Sequence, residues 1–424
     1  MKILVYPHDL GVGGSQLNAI ELGAAVKQLG HEVFLFGQPG PLVDKSRELG
    51  LEYIPAPIPR RRPSPSVISA LVRAVRQHGI NVLHGYEWPP ALECLAASKL
   101  VGASTAVATV MSMSVAPFIP KSMPLTVGTE QIQSLETSLG RRHVYLLEPP
   151  VDVFSNSRLA DIGVDEFRTH WELNDDVLNV VCVSRLAHEL KLEGIVSALE
   201  AVDNLSRDRR VRLIIAGGGP AMDRVASRAN AINEATGRRT VVLTGELRDP
   251  RPAYAVADVV LGMGGSALRG LSFAKPLIVQ GERGFWRLLT PESLPTFLWQ
   301  GWYGWGTCSS DGQDALTSIL APLLEDADAR SRLGRFGRQV VEDRFSLADT
   351  ARRQLAFYDR FVTSRPSFRR SLTAEAAALA RFSAHQVQRR YHSYFGNSPR
   401  DDFNAKPVAA SPDAASLRPN GRRA

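Results

Sequence analysis

The amino-acid sequence predicts an α/β protein built from two doubly wound domains that face a cleft. Three observations predict it. Short apolar runs alternate with segments of helical period, the signature of parallel βαβ units. The alternation breaks off near residue 150 and restarts near residue 178. A proline-rich joint, Glu148-Pro149-Pro150-Val151-Asp152, lies between the two series and reads as a linker.

In the first series, Lys2–Tyr6 reads as a strand and Gly11–Ser15 as a glycine turn. Gln16–Leu29 carries apolar residues at helical spacing and ends at Gly30. Glu32–Phe36, Asn81–Leu83 and Thr105–Val110 are the next strands. The second series opens on the apolar run Leu178–Val183, too short for most helices, with a helix over Leu192–Leu205. Val211–Ala216 is a strand ending in Gly217-Gly218-Gly219-Pro220; Thr240–Leu243, Asp258–Leu261 and Leu277–Val279 follow. Phe297–Cys308, with Trp299, Trp302, Tyr303 and Trp305, suits a strand and turn in the core, and Trp302 and Tyr303 are the best candidates there for exposure to the cleft.

The domains expected are 1–150 and 151–345, with a helix over 346–365 returning to the first domain. Residues 366–424 form a basic tail, with a weakly amphipathic helix over Ser371–Gln388 and disorder beyond Asn397.

A chain of 424 residues is too long for one ordinary core. The net charge of +7 resides in the tail: from Arg365 onward there are eleven basic and four acidic residues, and the body carries 39 of each sign. The basic balance is therefore no argument for nucleic acid. A solvated tail is the simplest reading, and a peripheral contact with anionic lipid is the alternative. No stretch has the apolar length of a membrane span, and the first residues read as a buried strand and not as a signal. Cys94, Cys182 and Cys308 are odd in number and far apart. They indicate neither a zinc site nor a disulfide framework, and a cytoplasmic setting is expected.

Three motifs carry chemistry. Gly11-Val12-Gly13-Gly14-Ser15-Gln16 follows the first strand and opens a helix, where backbone N–H groups and the dipole favour a phosphate. Its spacing is not GxGxxG, and the second strand ends Phe36-Gly37-Gln38 without an acid, so a nicotinamide enzyme is disfavoured. The alternative is a tight turn without ligand. In the second motif, Val183 to Gly194, Arg185 and Lys191 place two cations after the first strand of domain two. Such a pair suits a departing diphosphate, whose charge grows in the transition state; alone, the pair would read as surface charge. In the third, Gly262 to Ile278, a glycine loop again precedes a short helix, and N–H groups from Gly264 to Ala267 suit a phosphate. Close helix–strand packing also favours glycine there.

The order of these segments, with Val-Asp after the proline joint, Ser-Arg-Leu then Lys, Ile-Ile-Ala-Gly-Gly-Gly-Pro, Ala-Asp-Val-Val and Lys-Pro-Leu-Ile-Val, resembles family-4 glycosyltransferases over about residues 1–360. The resemblance implies two Rossmann-like domains in the GT-B arrangement and sugar transfer with retention at the anomeric carbon. It implies a nucleotide-diphosphate sugar as co-substrate, taken by residues 151–345, with the acceptor taken by residues 1–150, and no cofactor and no metal. Arg185 and Lys191 match the family's donor-phosphate pair, one residue further apart than usual, and Gly13 and Gly14 match its N-terminal loop. The donor set so implied also takes in Gly217, Gly264, Gly265, Ser266 and Leu268. The acceptor, whether glycan, lipid-linked or small molecule, is not specified.

The sequence departs from the family in two places. Paired glutamates of the third motif have Gly262 and Arg269 as equivalents, and the histidine expected near Val110-Met111-Ser112-Met113-Ser114 is missing. Glu282, after the next strand, is the candidate to substitute for the lost acid. His8 and His84, with Glu87 beside the latter, follow strands of domain one and are candidates to orient an acceptor hydroxyl. Arg60-Arg61-Arg62 is a basic loop that suits a phosphorylated or lipid-linked acceptor or, more simply, solvent. Asp175 and Asp176 are explained by turn chemistry. Two rival readings are a non-catalytic relative that binds nucleotide sugar, and another enzyme of the same fold such as a nucleotide-sugar epimerase.

Overall fold

The computed structural model describes residues 1–173, 176–362 and 368–394, and Val408; in the last helix side chains are described over 376–391. The disorder expected beyond Asn397, apart from Val408, and the turn role of Asp175 fall outside the described residues. Asp176 is described, in a turn, paired with Arg210.

The chain divides into two compact units, Met1–Pro150 with Leu347–Ala424, and Val151–Ser346. The first unit runs β1 (Lys2–Pro7), α1 (Gly14–Gln28), β2 (Glu32–Gly37), α2 (Leu42–Glu48), β3 (Glu52–Pro55), α3 (Pro65–His78), β4 (Val82–Tyr86), α4 (Trp88–Val101), β5 (Thr105–Val110), β6 (Leu125–Val127), α5 (Glu130–Ser138) and β7 (Val144–Leu146). Its seven strands are all parallel, in the order β3-β2-β1-β4-β5-β6-β7. β1, β2, β4 and β5 are buried on both faces, which is why they read as largely apolar runs rather than alternating ones, with His84 and Thr109 the buried polar exceptions. Helices start and stop where the chain chemistry says they should: α3 and α4 carry proline in their first turn and end at Gly79 and Gly102 in left-handed conformation.

The second unit runs α6 (Val164–His170), β8 (Leu178–Val183), α7 (Leu192–Leu205), β9 (Val211–Ala216), α8 (Met222–Thr236), β10 (Val241–Gly245), α9 (Arg251–Ala255), β11 (Val259–Gly262), α10 (Gly265–Ser272), β12 (Leu277–Gln280), β13 (Trp286–Leu288), α11 (Leu294–Gln300), α12 (Gly312–Glu325) and α13 (Ala327–Arg344). Its sheet order is β10-β9-β8-β11-β12-β13, with only β13 antiparallel. The strand expected at the start of Phe297–Cys308 is instead the end of helix α11. Pro295 sits in the first turn, Gly301 ends the helix, and Phe297 stacks on Trp302 at 5.6 Å.

Two helices complete the first unit. α14 (Leu347–Val362) buries Ala351, Phe357, Tyr358 and Phe361 in the core layer that holds α1. α15 (Phe368–Tyr394) packs Phe382 against Trp88 and Phe118. Each sheet thus has an apolar core on both faces, the doubly wound α/β architecture. In each unit the strand order reverses once, between β1 and β4 and between β8 and β11, and ligands of such sheets bind beyond the carboxyl ends of strands at that point.

Candidate active site

In the second unit four loops leave the carboxyl edge around the reversal. The loop after β8 carries Arg185, whose side chain is exposed, and ends at Lys191. It is hung on the glycine loop after β9. Ser184 N donates to Ala216 O at 3.0 Å, Leu186 N to Gly218 O at 2.8 Å, and Ala221 N to Leu186 O at 2.9 Å. This approach requires glycine: a Cβ on Gly217 would lie 2.0 Å from Ser184 O, and Gly217 has φ of 145°. The amide of Gly217 is already given to Gly245 O. Gly217, expected among the donor ligands, therefore acts by shaping the loop that carries Arg185.

Lys191 precedes α7, and its carbonyl accepts from Gln280 Nε2 at 3.1 Å. Its side chain keeps part of its surface, yet the ammonium is packed densely enough that burial pulls its pKa down to about 8. The Arg185 charge pushes the same way, whereas the Cys182 thiol and Glu282 favour the cation. Arg185, Lys191 and Glu282 thus share one electrostatic neighbourhood.

Glu282 follows β12 and is held on both sides. Its Oε2 accepts from the Tyr303 hydroxyl at 2.7 Å, its backbone N–H donates to Gly304 O at 3.1 Å, and it bridges to Trp305. Tyr303 and Trp302 are 3% and 4% exposed, so the exposure expected of them is corrected. Tyr303 acts from beneath, through Glu282.

After β11, Gly264 takes φ of 55° and donates its N–H to Trp302 O at 2.8 Å. The Ser266 hydroxyl donates to Met263 O at 3.0 Å and faces Met263 N at 3.2 Å. Leu268 is fully buried and gives its amide to Gly264 O, so it offers a ligand nothing. Of the donor groups expected here, the amides of Gly265, Ser266 and Ala267 have no partner inside the helix. A side chain on Gly262 would begin 3.1 Å from Ala267 N, which leaves little room for the glutamate the resemblance implies. Arg269 Nη1 lies 3.2 Å from where a Gly265 Cβ would be, so this guanidinium folds over the first turn of α10. No group of three His, Cys, Asp or Glu suited to a metal occurs among the described residues.

In the first unit, Gly13 precedes α1 in extended conformation and Gly14 opens the helix with open space around it. His8 Nδ1 stands 3.3 Å from Asp9 Oδ2, and Asp9 Oδ1 accepts from Gly11 N at 2.8 Å. The hydrogen bond from His8, first, holds the Asp9 pKa at about 2 against its partial burial. His84 does not face any opening, against expectation. It is 0% exposed within β4, with Nδ1 2.7 Å from the Tyr358 hydroxyl and Nε2 2.6 Å from Thr109 Oγ1. Burial presses its pKa down to about 3, so it stays neutral and structural. Glu87 stands at the edge, between the glycine loop and the loop after β5.

Arg62 also departs from its reading as a solvated charge. It turns inward to Glu93 Oε2 at 2.7 Å, and Glu93 also takes the Tyr6 hydroxyl and Ser64 N. Arg60 and Arg61 remain exposed. Asp9 and Glu93 were not singled out in the sequence, although Asp-x-Gly at residues 9–11 is a recognisable Asx-turn pattern.

Residues 178–288 match the family model described as glycosyl transferases group 1. No curated protein matches by sequence. The fold is similar to that of a glycosyltransferase from Rickettsia africae ESF-5, with a TM-score of 0.67 and 14% identity, over 86% of this chain and 99% of that one. It is also similar to Anabaena Alr3699/HepE in complex with UDP, with a TM-score of 0.65 and 14% identity, over 85% of this chain and all (100%) of that one. A third similarity is to the catalytic domain of Arabidopsis thaliana starch synthase IV bound to ADP and acarbose, with a TM-score of 0.62 and 12% identity, over 86% and 100%. Residues 178–288 are thus similar to glycosyl transferases group 1, and the two Rossmann-like units match the GT-B fold of these glycosyltransferase structures.

Proposed function

We propose that this protein is a glycosyltransferase that moves a sugar from a nucleotide-diphosphate sugar to an acceptor hydroxyl with retention of anomeric configuration. The observation that carries the reading is the clustering of Arg185, Lys191 and Glu282 at the reversal point of the second sheet. The group 1 match spans these three residues, and the Anabaena protein of similar fold has been captured with UDP.

The roles follow from charge. The anomeric C–O bond to the diphosphate breaks and a bond to the acceptor oxygen forms. The acceptor proton leaves with a diphosphate oxygen. Arg185 and Lys191 meet the growing negative charge, Lys191 from a poorly solvated position where a cation acts more strongly. The amides of Gly265 and Ser266 add donors. Glu282 accepts hydroxyls of the transferred sugar in place of the missing glutamates. On this reading no metal is needed, and the first unit takes the acceptor, with His8 as the candidate to orient its hydroxyl. A cytoplasmic setting with no nucleic-acid partner fits the neutral body, and the basic tail is the element suited to anionic lipid. No helix among the described residues is long and apolar enough to cross a membrane.

Gly262 and Arg269 favour one rival, a relative that binds nucleotide sugar without turning it over. Incubation with a panel of nucleotide sugars, with release of nucleoside diphosphate as readout, separates the two. The proposal expects release that falls at least tenfold in Glu282→Gln. Binding without release by the wild type establishes the rival.

A further inference from the structure

Glu87 is the residue between β4 and α4, at the reversal point of the first sheet. Its backbone has φ of 64° and ψ of 178°, a region that is essentially glycine's alone. A side chain kept there at a cost in strain needs a compensating function, and the contacts of the carboxylate supply one. Oε1 accepts from the Ser15 hydroxyl at 3.1 Å and from Met111 N at 3.0 Å; Oε2 accepts from the Ser112 hydroxyl at 2.8 Å. Ser15 lies in the first turn of α1, directly after Gly13 and Gly14, while Met111 and Ser112 follow β5. β1, β4 and β5 are neighbours in the sheet, so one carboxylate ties together the loops of three adjacent strand ends.

We propose that Glu87 is the positioning residue of the acceptor side: it locks the glycine loop and the 111–112 loop into one preformed rim. At least three of its roughly four acceptor sites are used internally, so it is poorly placed to act as a base or to hold the acceptor itself. Its strained backbone aims the carboxylate between the two loops, and its hydrogen bonds, not its charge, are what the rim requires. This inference rests on the transferase reading for its kinetic arm alone.

Two substitutions and two readouts test it. Glycine is unstrained at this backbone angle, so Glu87→Gly removes the clasp without a steric reason to unfold. Glu87→Gln keeps an acceptor for Met111 N and an amide that donates to Ser112. Turnover of nucleotide sugar in Glu87→Gly is expected to fall about 100-fold, as for a misplaced positioning element. Its KM for the donor stays within about twofold, and Glu87→Gln recovers most of the loss. Amide exchange at Met111 is expected to speed up at least tenfold in Glu87→Gly and to stay slow in Glu87→Gln. Wild-type turnover in Glu87→Gly overturns the inference, and so does a loss in Glu87→Gln as deep as in Glu87→Gly, which would assign the role to charge. If the wild type turns over no nucleotide sugar, the transferase reading fails, and unchanged Met111 exchange in Glu87→Gly still overturns the clasp by itself.

Discussion

The hydroxyl of Tyr303 donates to Glu282 Oε2 at 2.7 Å from a side chain that is almost wholly buried. The phenol is kept protonated, first by burial and then by the carboxylate beside it. Glu282, itself half-buried, is thereby held through Oε2 by a buried donor. Tyr303→Phe removes one charge-assisted hydrogen bond, worth about 1.5–3 kcal/mol, from the second unit. Its urea midpoint is expected to fall accordingly. Turnover is expected to drop about tenfold because Glu282 then samples other rotamers, whereas Glu282→Gln, which keeps a hydrogen-bonding group, leaves the midpoint within about 1 kcal/mol of wild type.

Lys191 predicts a pH dependence. Its pKa is lowered to about 8, chiefly by burial, so the free protein loses this cation as pH rises through about 8. The donor kcat/KM is expected to fall above that pH with a limiting slope of about one decade per unit. Lys191→Arg, whose guanidinium stays charged, is expected to abolish this limb. The stability sign is opposite: the unfolded chain holds the proton up to the ordinary lysine range, so stability of the second unit rises between about pH 8 and 10.5. A pH profile of kcat/KM alongside denaturation midpoints checks both signs.

Gly217→Ala tests whether the β9 glycine loop shapes the site. The new methyl would meet Ser184 O, and alanine disfavours φ of 145°. The second unit is expected to lose about 2 kcal/mol or more. Nucleoside diphosphate affinity is expected to fall further than the stability loss explains, because Ser184 adjoins Arg185. Calorimetric titration below the unfolding midpoint measures this.

In the Arg62–Glu93 pair Glu93 is fully covered and Arg62 is partly buried. Burial raises the Glu93 pKa, and the Arg62 charge holds it down. Arg62→Ala leaves an uncompensated buried carboxylate and is expected to cost the first unit about 3–5 kcal/mol. The folded pKa then climbs further, so this variant regains stability as pH falls below the climbing pKa, the opposite of ordinary acid unfolding. Pairing Arg62→Met with Glu93→Leu is expected to recover most of the loss, as measured by urea midpoints.

The long central strands were legible in the sequence because both faces are buried: Leu178–Val183 and Val211–Ala216 are apolar but for Asn179 and Arg212, and lie at those bounds. β3, β6, β7 and β13 span only three or four residues, too few for a period to show. The aromatic run at 297–305 differs from expectation because its first four residues close a helix that Pro295 opens and Gly301 ends, and proline and glycine also mark turns. Arg185 and Lys191 were singled out by the order of the motifs around them, since two cations after a strand end read, by themselves, as surface charge. His84 was not, because its partners Thr109 and Tyr358 are 25 and 274 residues away. Leu268 and Gly217 illustrate one limit: spacing located the loops, but only geometry shows which amides are already committed.

The most direct measurement is calorimetric titration of the full chain with a panel of nucleoside diphosphates, repeated on Arg185→Ala, Lys191→Ala and the double variant. The account predicts that at least one nucleoside diphosphate binds the wild type, and that each single variant weakens it at least tenfold, about 1.4 kcal/mol. Binding that survives unchanged in the double variant, or a wild type that binds none of them, contradicts it.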